Sequence, residues 1–554
     1  MSARDSDDYE LTRRQFGKIG AQAAAALATG AWLAGCGGST GGATNGGAST
    51  GKSAGTAPLS KGPGSIGTPV RGGTLTVAMI SGGAQETVDP RKVVSTTDLI
   101  RGLQLYDPLF LIAPGPDGVI PGLAVSAEPN KSATVWTIKL RDGVTFHNGK
   151  TLTADDVVYT IKSSWASPSS AYQAATSNLI DVANVRKLDA TTVEIPLHYP
   201  MAYLPSFASY VNTGIVPDGF TDWNRPIGAG PFKFVSLNPG SSSTFVRNPD
   251  YWRGAPHIDQ LVINSTFTDD AARLNALLSN QVDIAPNIPP ALAKANAGSI
   301  ILGNQPSPFF LNIAMRVNVR PFNDPRIAKA LKLATDREAI LRDVYAGYGT
   351  IGNDCGGAGL RYWASDIKSE YDPEKAKALL KAAGAEGLTV PMITSNYEPG
   401  MVEQATTWSA QAAGVGFKAP VRELPASTYF TTAAPAYGTN ARKLSVEPWN
   451  IYILSLAGLY LETLASHAIY DETGWDLGPG HEKLIAAALG ETNPRKAESL
   501  WHAVQEQQVQ SGGYIIPVNY NLLDGYGKRV RGVETNSAGN CGNFDFHKAW
   551  LTAA

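Results

Sequence analysis

The chain has 554 residues and a formal net charge of −2, and 43% of its residues are hydrophobic and 9% aromatic. This composition can build large hydrophobic cores, and the length exceeds what one core supports, so at least two lobes are expected. The near-balanced charge gives no basic face, which argues against nucleic acid or anionic lipid as a partner.

The N-terminal segment has the features of an export signal. It contains three residues of a twin-arginine motif, Arg13, Arg14 and Phe16, ahead of a short apolar run that ends in Leu-Ala-Gly-Cys at residues 33–36. Such an ending is typical of a lipoprotein cleavage site. The run is shorter than the about 20 residues that span a bilayer, which disfavours an uncleaved anchor helix. We therefore expect residues 1–35 to be a cleaved signal peptide and Cys36 to carry lipid outside the cytoplasmic membrane.

Residues 36–70 are rich in Gly, Ser, Thr and Ala. Such a segment cannot bury enough apolar surface to offset the entropy of ordering it. We expect a flexible tether that separates the lipid from the folded part.

Strand and helix patterns then alternate to the end of the chain. Alternating apolar patterns predict strands at four places: 74–80, 136–140, 388–393 and 514–518. Helices are predicted to begin at three positions that carry an N-cap residue, in two cases followed by proline: Thr153, Asp372-Pro373 and Asn493-Pro494. This mixture, without an internal repeat, indicates α/β lobes.

No enzyme motif lies in a predicted strand or helix that would support catalysis. Strings that match G-x-S-x-G, S-x-x-K and G-x-x-x-x-G-K-S fall within residues 37–55 of the Gly/Ser/Thr/Ala-rich segment, and a further S-x-x-K string occurs at 365–368. H-E-x-x-H is absent, and the seven histidines are scattered singly. We therefore predict no catalytic residue, no metal site and no cofactor, and we interpret His147 as packing within a turn. A secreted hydrolase or transferase assembled from distant residues stays open as an alternative.

Two cysteines remain besides Cys36. In an oxidising exterior, Cys355 and Cys541 form either a disulfide or two separate buried thiols, and the sequence leaves both alternatives open. Neither lies in a Cys/His cluster, so no metal site is expected from them.

Several motifs occur in a fixed order along the chain: Arg71-Gly72-Gly73, Val88-Asp89-Pro90, residues 140–149, 152–159, 226–234, 247–252, 281–284 and 321–326, and Asp336-Arg337. In this order and spacing the chain resembles the extracytoplasmic solute-binding proteins of the peptide/nickel/opine class, family 5, of ABC importers. Each motif is weak alone, but the series is specific.

The resemblance implies an α/β, two-lobed periplasmic-binding-protein-like fold of type II, in the large class with an extra subdomain. Its hinge would be two crossing strands, near 307–312 and 514–521. Lobe one is expected to span 70–304 plus 520–554, with the extra subdomain at roughly 115–225. Lobe two is expected to span 305–519.

The same resemblance implies a monomeric, lipid-anchored protein that captures a small organic or peptide ligand and delivers it to an ABC permease. A metal-chelate receptor on the same fold is an alternative. The expected ligand-binding residues are Trp449, Tyr452, Glu447, Phe310, Asn312 and Asn521. Tyr452 stands where peptide-binding relatives carry an aspartate that pairs with the ligand amino group. Glu447 or Glu462 would have to replace that aspartate, since a buried ammonium without a carboxylate is costly.

Overall fold

The computed structural model describes the following residues: 57–64, 67–93, 95–170, 173–430, 438–449, 455–465, 468 and 470–552. The predicted signal peptide, Cys36, most of the tether and Tyr452 lie outside this part, as does the side chain of Trp449. Within it, we find no helix that combines the length and the apolar character needed to cross a bilayer.

Most strands are short. In chain order they are β1 Ser60–Lys61, β2 Thr74–Ile80, β3 Phe110–Ile112, β4 Val119–Pro121, β5 Ala124–Pro129, β6 Val135–Leu140, β7 Arg186–Asp189, β8 Thr192–Pro196, β9 Phe232–Asn238, β10 Ser242–Arg247, β11 Gln260–Phe267, β12 Ile284–Ala285, β13 Ile301–Met315, β14 Gly349–Ile351, β15 Met392–Ser395, β16 Val421–Leu424, β17 Leu444–Trp449, β18 Tyr514–Ile515, β19 Val518–Tyr526, β20 Val530–Arg531 and β21 Trp550–Leu551.

Helices are distributed along the whole described chain. They are α1 Thr96–Leu105, α2 Ala154–Thr160, α3 Gln173–Leu179, α4 Leu204–Phe207, α5 Asp270–Leu278, α6 Pro290–Asn296, α7 Pro325–Leu333, α8 Arg337–Asp343, α9 Pro373–Ala382, α10 Met401–Gly414, α11 Leu456–Leu459, α12 Pro479–Gly490 and α13 Pro494–Ser511. Further short turns are 3-10 or π-helical, including the π-helical turns Ile161–Trp165 and Tyr460–Leu464.

A 13-stranded mixed sheet runs through the described part of the molecule, in the order β16-β15-β17-β13-β19-β12-β2-β11-β10-β9, with β1, β14 and β18 joined at its centre. The long strand β13 pairs with β19 over its first half and with β17 over its second. These two strands therefore join the half of the sheet that holds β2 and β9–β12, which we call lobe one, to the half that holds β15–β17, which we call lobe two.

A second, four-stranded sheet in the order β5-β6-β8-β7 forms the subdomain that precedes β9. Strand β6 alternates between buried and exposed residues, and Trp136, Ile138 and Leu140 point into the core. This one-sided pattern is what an antiparallel sheet with one solvated face requires. The subdomain core is continuous with that of lobe two, so the subdomain packs on lobe two as well as on lobe one.

The predicted helix starts agree with the structure. Thr153 and Asp156 form a reciprocal capping box before α2. Helices α9 and α13 begin at Pro373 and Pro494, and the side chains of the preceding Asp372 and Asn493 accept hydrogen bonds from the first turn.

Two predicted strands are interrupted, and proline is the reason in both. The predicted strand 388–393 begins only after Pro391, and the segment 514–518 is split at Pro517 into β18 and β19. Proline has no backbone N–H to donate, so the ladder of hydrogen bonds breaks there.

Candidate functional site

A cavity lies where the two lobes meet, and the space within it, including the part open to solvent, is about 580 Å³. The pairing of β13 with β19 is irregular between Pro306 and Phe310, and Phe309 within this irregularity reaches the cavity. Residues of lobe one, lobe two and both crossing strands line it: Thr96, Leu99, Ile112, Asn287, Phe309, Glu398, Tyr520, Leu522, Ala538, Gly539, Asn540, Asn543 and Phe544. Apolar and aromatic walls with few polar groups are typical of ligand sites.

A hydrogen bond connects the two lobes at this cavity. The side-chain amide of Asn287, in the loop after β12, donates to Glu398 Oε1 at 3.1 Å. Glu398 lies between β15 and α10 of lobe two. The seam between the lobes is therefore bridged by polar groups that also line the cavity.

The fully buried Asp524 of β19 organises the lobe-one wall. Its carboxylate accepts hydrogen bonds from the backbone N–H groups of Asn287 at 3.1 Å and Cys541 at 2.7 Å. It also accepts from the hydroxyl of Thr535 at 2.7 Å and the side-chain amide of Asn540 at 2.8 Å. Burial raises the pKa of Asp524, and these donors oppose the increase. One carboxylate thus holds both loops that form this wall.

The wall also contains a left-handed helical turn. All four residues of Cys541–Phe544 have φ between +50° and +66°. Non-glycine residues pay about 1–2 kcal/mol each for this conformation. The backbone N–H of Phe544 donates to the carbonyl of Asn540 at 2.9 Å, and that of Cys541 to Asp524, which keeps the turn in place. Strained backbone of this kind concentrates at functional sites.

Tyr520 also lines the cavity. Its ring stacks on Tyr345 with a centroid separation of 6.1 Å and an interplanar angle of 11°. The side chain is 9% exposed, and its hydroxyl has no hydrogen-bond partner within the described part of the chain. Burial, with the charge of Glu398 as a smaller cause, holds the pKa of Tyr520 well above its usual range, so the group stays neutral.

A second cavity, with about 490 Å³ of space including the part open to solvent, adjoins the first and shares four of its lining residues: Thr96, Leu99, Ile112 and Asn543. Its other walls are Val93, Ser95, Leu103, Tyr210, Val211 and Asn212. The two cavities together form a mostly apolar space beside α1.

Three residues of the crossing strands were predicted to contact the ligand, and the structure places them on faces that do not line this cavity. Phe310 is fully buried, Asn312 donates to Glu472 at 3.2 Å, and Asn521 donates to Asn304 at 2.7 Å. None of the three lines the cavity, because side chains alternate along a strand. Their neighbours Phe309, Tyr520 and Leu522 line it instead.

Glu447 is engaged inside lobe two. It is fully buried, and its carboxylate accepts a hydrogen bond from Arg442 Nη1 at 3.2 Å. Glu447 does not line this cavity, and its role as a ligand anchor stays a prediction. Burial raises the pKa of Glu462 to about 8, but this residue does not line the cavity either.

The structure also decides between the alternatives for the two cysteines. Both thiols are free and buried, in separate parts of the fold. Cys355 Sγ donates to the carbonyl of Gln505 at 3.8 Å, whereas Cys541 lies in the left-handed turn of lobe one. The disulfide alternative is therefore wrong for these residues.

His147 packs in a turn, as predicted. Its Nε2 contacts the carbonyl of Gly230 at 3.0 Å, and its Nδ1 accepts from the backbone N–H of Gly228 at 3.3 Å. Burial lowers its pKa to about 4. Across the described residues, no cluster of His, Cys, Asp and Glu is arranged to hold a metal ion.

Sequence reasoning missed Asn287, Glu398 and the 539–544 loop. They lie in loops, where no periodic pattern marks a side chain as buried. The one available signal was the sequence Asn540-Cys541-Gly542-Asn543, since Asn and Gly are the residues that tolerate positive φ.

Comparisons with known proteins identify similar chains. The family model described as bacterial extracellular solute-binding proteins, family 5 Middle, matches residues 118–463. Di/tripeptide-binding protein 2 of Pseudomonas aeruginosa is 29% identical over 348 residues, which cover 56% of this chain and 64% of the relative. The dipeptide-binding protein of Escherichia coli is 28% identical over 381 residues, which cover 62% and 71%. The alignment thus spans just under two thirds of the first relative's length.

A solved structure supports the fold. The periplasmic binding protein DppA of Helicobacter pylori, in complex with the peptide STSA, superposes with a TM-score of 0.73 at 20% identity, covering 87% of this chain and 99% of that one. At this identity the likeness concerns the fold, which is the two-lobed architecture that the sequence predicts.

Proposed function

This chain belongs to family 5 of the bacterial extracellular solute-binding proteins, and from that premise we propose that it captures an oligopeptide-like organic solute and delivers it to the permease of an ABC importer. The observation that carries the proposal is the cavity between the lobes. Residues of both lobes and both crossing strands line it. A guest bound there therefore contacts both lobes, which move relative to each other when the hinge closes.

The chemistry of the walls supports an organic guest. Phe309, Leu522 and Phe544 offer apolar surface, and Tyr520 and Asn540 offer polar groups. Such a mixture orients a solute through a few hydrogen bonds while apolar contact supplies affinity. The names of relatives that bind dipeptides and tripeptides favour peptide-like solutes.

The test asks whether the protein binds a peptide and releases it without hydrolysing it. The purified mature chain is incubated with a library of dipeptides to pentapeptides, and native mass spectrometry identifies what stays bound. We expect saturable retention of a guest that is recovered chemically intact. Hydrolysis of the library by the protein, or no retention at all, would contradict the proposal.

A variant locates the binding to the cavity. Thr96→Trp places a large side chain in the space that both cavities share, and it is expected to reduce retention at least tenfold. The matched control is Thr406→Trp, because Thr406 lies on the exposed side of α10. Equal retention by both variants would remove the cavity from the proposal.

We also propose that Cys36 carries the lipid that holds the protein at the membrane surface. The proposal rests on the Leu-Ala-Gly-Cys ending after Arg13 and Arg14. Cys36→Ser is expected to abolish the lipid mass on the mature N-terminus and to release the protein from the membrane fraction. Cys355→Ser is the control and should leave both unchanged. A membrane-bound Cys36→Ser protein would refute the anchor.

A further inference from the structure

The charged side chains that line the two cavities are of one sign, negative. Among the described residues that line either cavity, Glu398 is the single carboxylate, and there is no lysine, arginine or histidine. The sequence adds to this observation. The residues between 57 and 552 that lie outside the described part include no lysine or arginine and one histidine, His467.

The guanidinium of Arg273 contacts the Asn287 loop and is engaged by groups of the protein. Arg273 is 4% exposed and donates to Asp270 Oδ1 at 2.6 Å and to the carbonyl of Asn287 at 3.0 Å. A third bond goes to the carbonyl of Pro286. Arg273 does not line the cavity, and its guanidinium is paired with Asp270, so it makes no direct contact with a guest.

Two of the neutral polar residues on the lining, Tyr520 and Asn540, have hydrogen-bonding atoms without a described protein partner. The Tyr520 hydroxyl is buried in the cavity wall without a described partner. Buried polar groups are rarely left unpaired, which points to a hydrogen bond with a guest. Asn540 uses its amide nitrogen on Asp524, which leaves the amide oxygen as an acceptor.

We infer that the cavity between the lobes selects organic cations, namely solutes whose protonated amine or guanidinium faces Glu398 and which carry no exposed carboxylate or phosphate. This inference rests on the proposed function and adds the charge class of the solute. It departs from free peptides with an unblocked C-terminus, whose carboxylate would find no cationic side chain on the described walls.

The physical reason is the cost of burying charge. An anion enclosed without a positive partner loses its hydration with no compensation. An ammonium group facing Glu398 instead forms charge-assisted hydrogen bonds, which are about twice as strong as neutral ones. Complementarity of this kind fixes specificity by penalising the wrong charge.

The experiment compares two pools of the same dipeptide-to-pentapeptide sequences. The cationic pool has free amines and C-terminal amides, and the anionic pool has acetylated amines and free carboxylates. Affinity selection with mass spectrometry is run on the mature chain, on Glu398→Gln and on Glu403→Gln. Glutamine keeps the acceptor for Asn287 while it removes the charge, and Glu403 is an exposed residue of α10 that serves as the matched control.

We expect the mature chain and Glu403→Gln to retain the cationic pool at least tenfold better than the anionic pool, and Glu398→Gln to lose this preference. Tyr520→Phe should weaken both pools by a similar factor of about three to ten, since it removes one hydrogen bond without changing charge. Retention of the anionic pool at an equal or higher level overturns the inference and leaves the proposed function standing. A cationic preference that survives in Glu398→Gln also overturns it. Retention of neither pool by the mature chain contradicts the proposed function itself.

Discussion

Replacing Asp524 tests whether one buried carboxylate holds the lobe-one wall of the cavity. In Asp524→Ala, the backbone N–H groups of Asn287 and Cys541 lose their acceptor inside the protein. Each orphaned buried donor costs about 1–3 kcal/mol. The loss of the bonds from Thr535 and Asn540 adds to this, whereas relief from burying the carboxylate subtracts. We expect the free energy of unfolding to fall by about 3–5 kcal/mol.

Urea denaturation measures this change, and hydrogen exchange locates it. The amide of Cys541 should exchange much faster in the variant, because the left-handed turn depends on its bond to Asp524. Asp366→Ala is the control: the Asp366 side chain is 72% exposed, and its surface contact with His502 is worth at most about 1 kcal/mol. A loss below about 1 kcal/mol in Asp524→Ala, with unchanged exchange at Cys541, would refute the role assigned to this carboxylate.

Three further predictions concern other parts of the molecule. Arg361 forms a paired contact with Asp117 at 2.7 Å, and Arg361→Glu should replace this attraction by repulsion and lower the free energy of unfolding in urea by about 1 kcal/mol. Exchanging the two charges should restore it. Burial lowers the pKa of His147 from 6.5 to about 4, so the unfolded chain takes up a proton at a higher pH than the folded chain does. The free energy of unfolding should therefore fall by up to about 3 kcal/mol between pH 6.5 and pH 4. Urea denaturation at a series of pH values measures this decrease, and His147→Gln should remove it. Because Cys355 and Cys541 are free and buried, reductant should leave the thermal midpoint unchanged, and a thiol reagent should react only after unfolding.

Local structure was predictable wherever it depends on local chemistry. The capping box at Thr153 follows from side-chain hydrogen bonds within one turn. The turn at Asn148-Gly149 follows from the positive φ that glycine tolerates, and Gly149 has φ +83°. The order of family motifs then supplied the two-lobed fold, which no single local pattern contains.

The inward face of the crossing strands was not predictable. Strand β19 is buried at every position, so its sequence shows no contrast between a polar and an apolar face. Without that contrast, nothing in the sequence separates Asn521, which bonds within the core, from Tyr520, which lines the cavity. A shift of one residue exchanges the two faces of a strand completely.

The ion pair between Glu447 and Arg442 could not be predicted from the sequence, for a different reason. A glutamate near an aromatic cluster is consistent with a ligand anchor or with an internal ion pair. Arg442, five residues earlier, lies outside strand β17, and only the three-dimensional path of the chain brings its guanidinium to the carboxylate. A pairing between a loop residue and a strand residue leaves no periodic trace in the sequence.

Reversible closure requires that the protein's own contacts across the seam be weak. The Asp117–Arg361 pair is about half exposed on both sides, so it contributes at most about 1 kcal/mol. The bond from Asn287 to Glu398 involves a charged group and adds about 1.5–3 kcal/mol. A guest that makes a few hydrogen bonds only when the lobes are together supplies a comparable free energy, which is enough to shift the closed population tenfold or more. Some hydrogen-bonding groups, such as the Tyr520 hydroxyl, have no described partner in the protein. Their hydrogen bonds to a guest therefore link ligand binding to closure of the lobes.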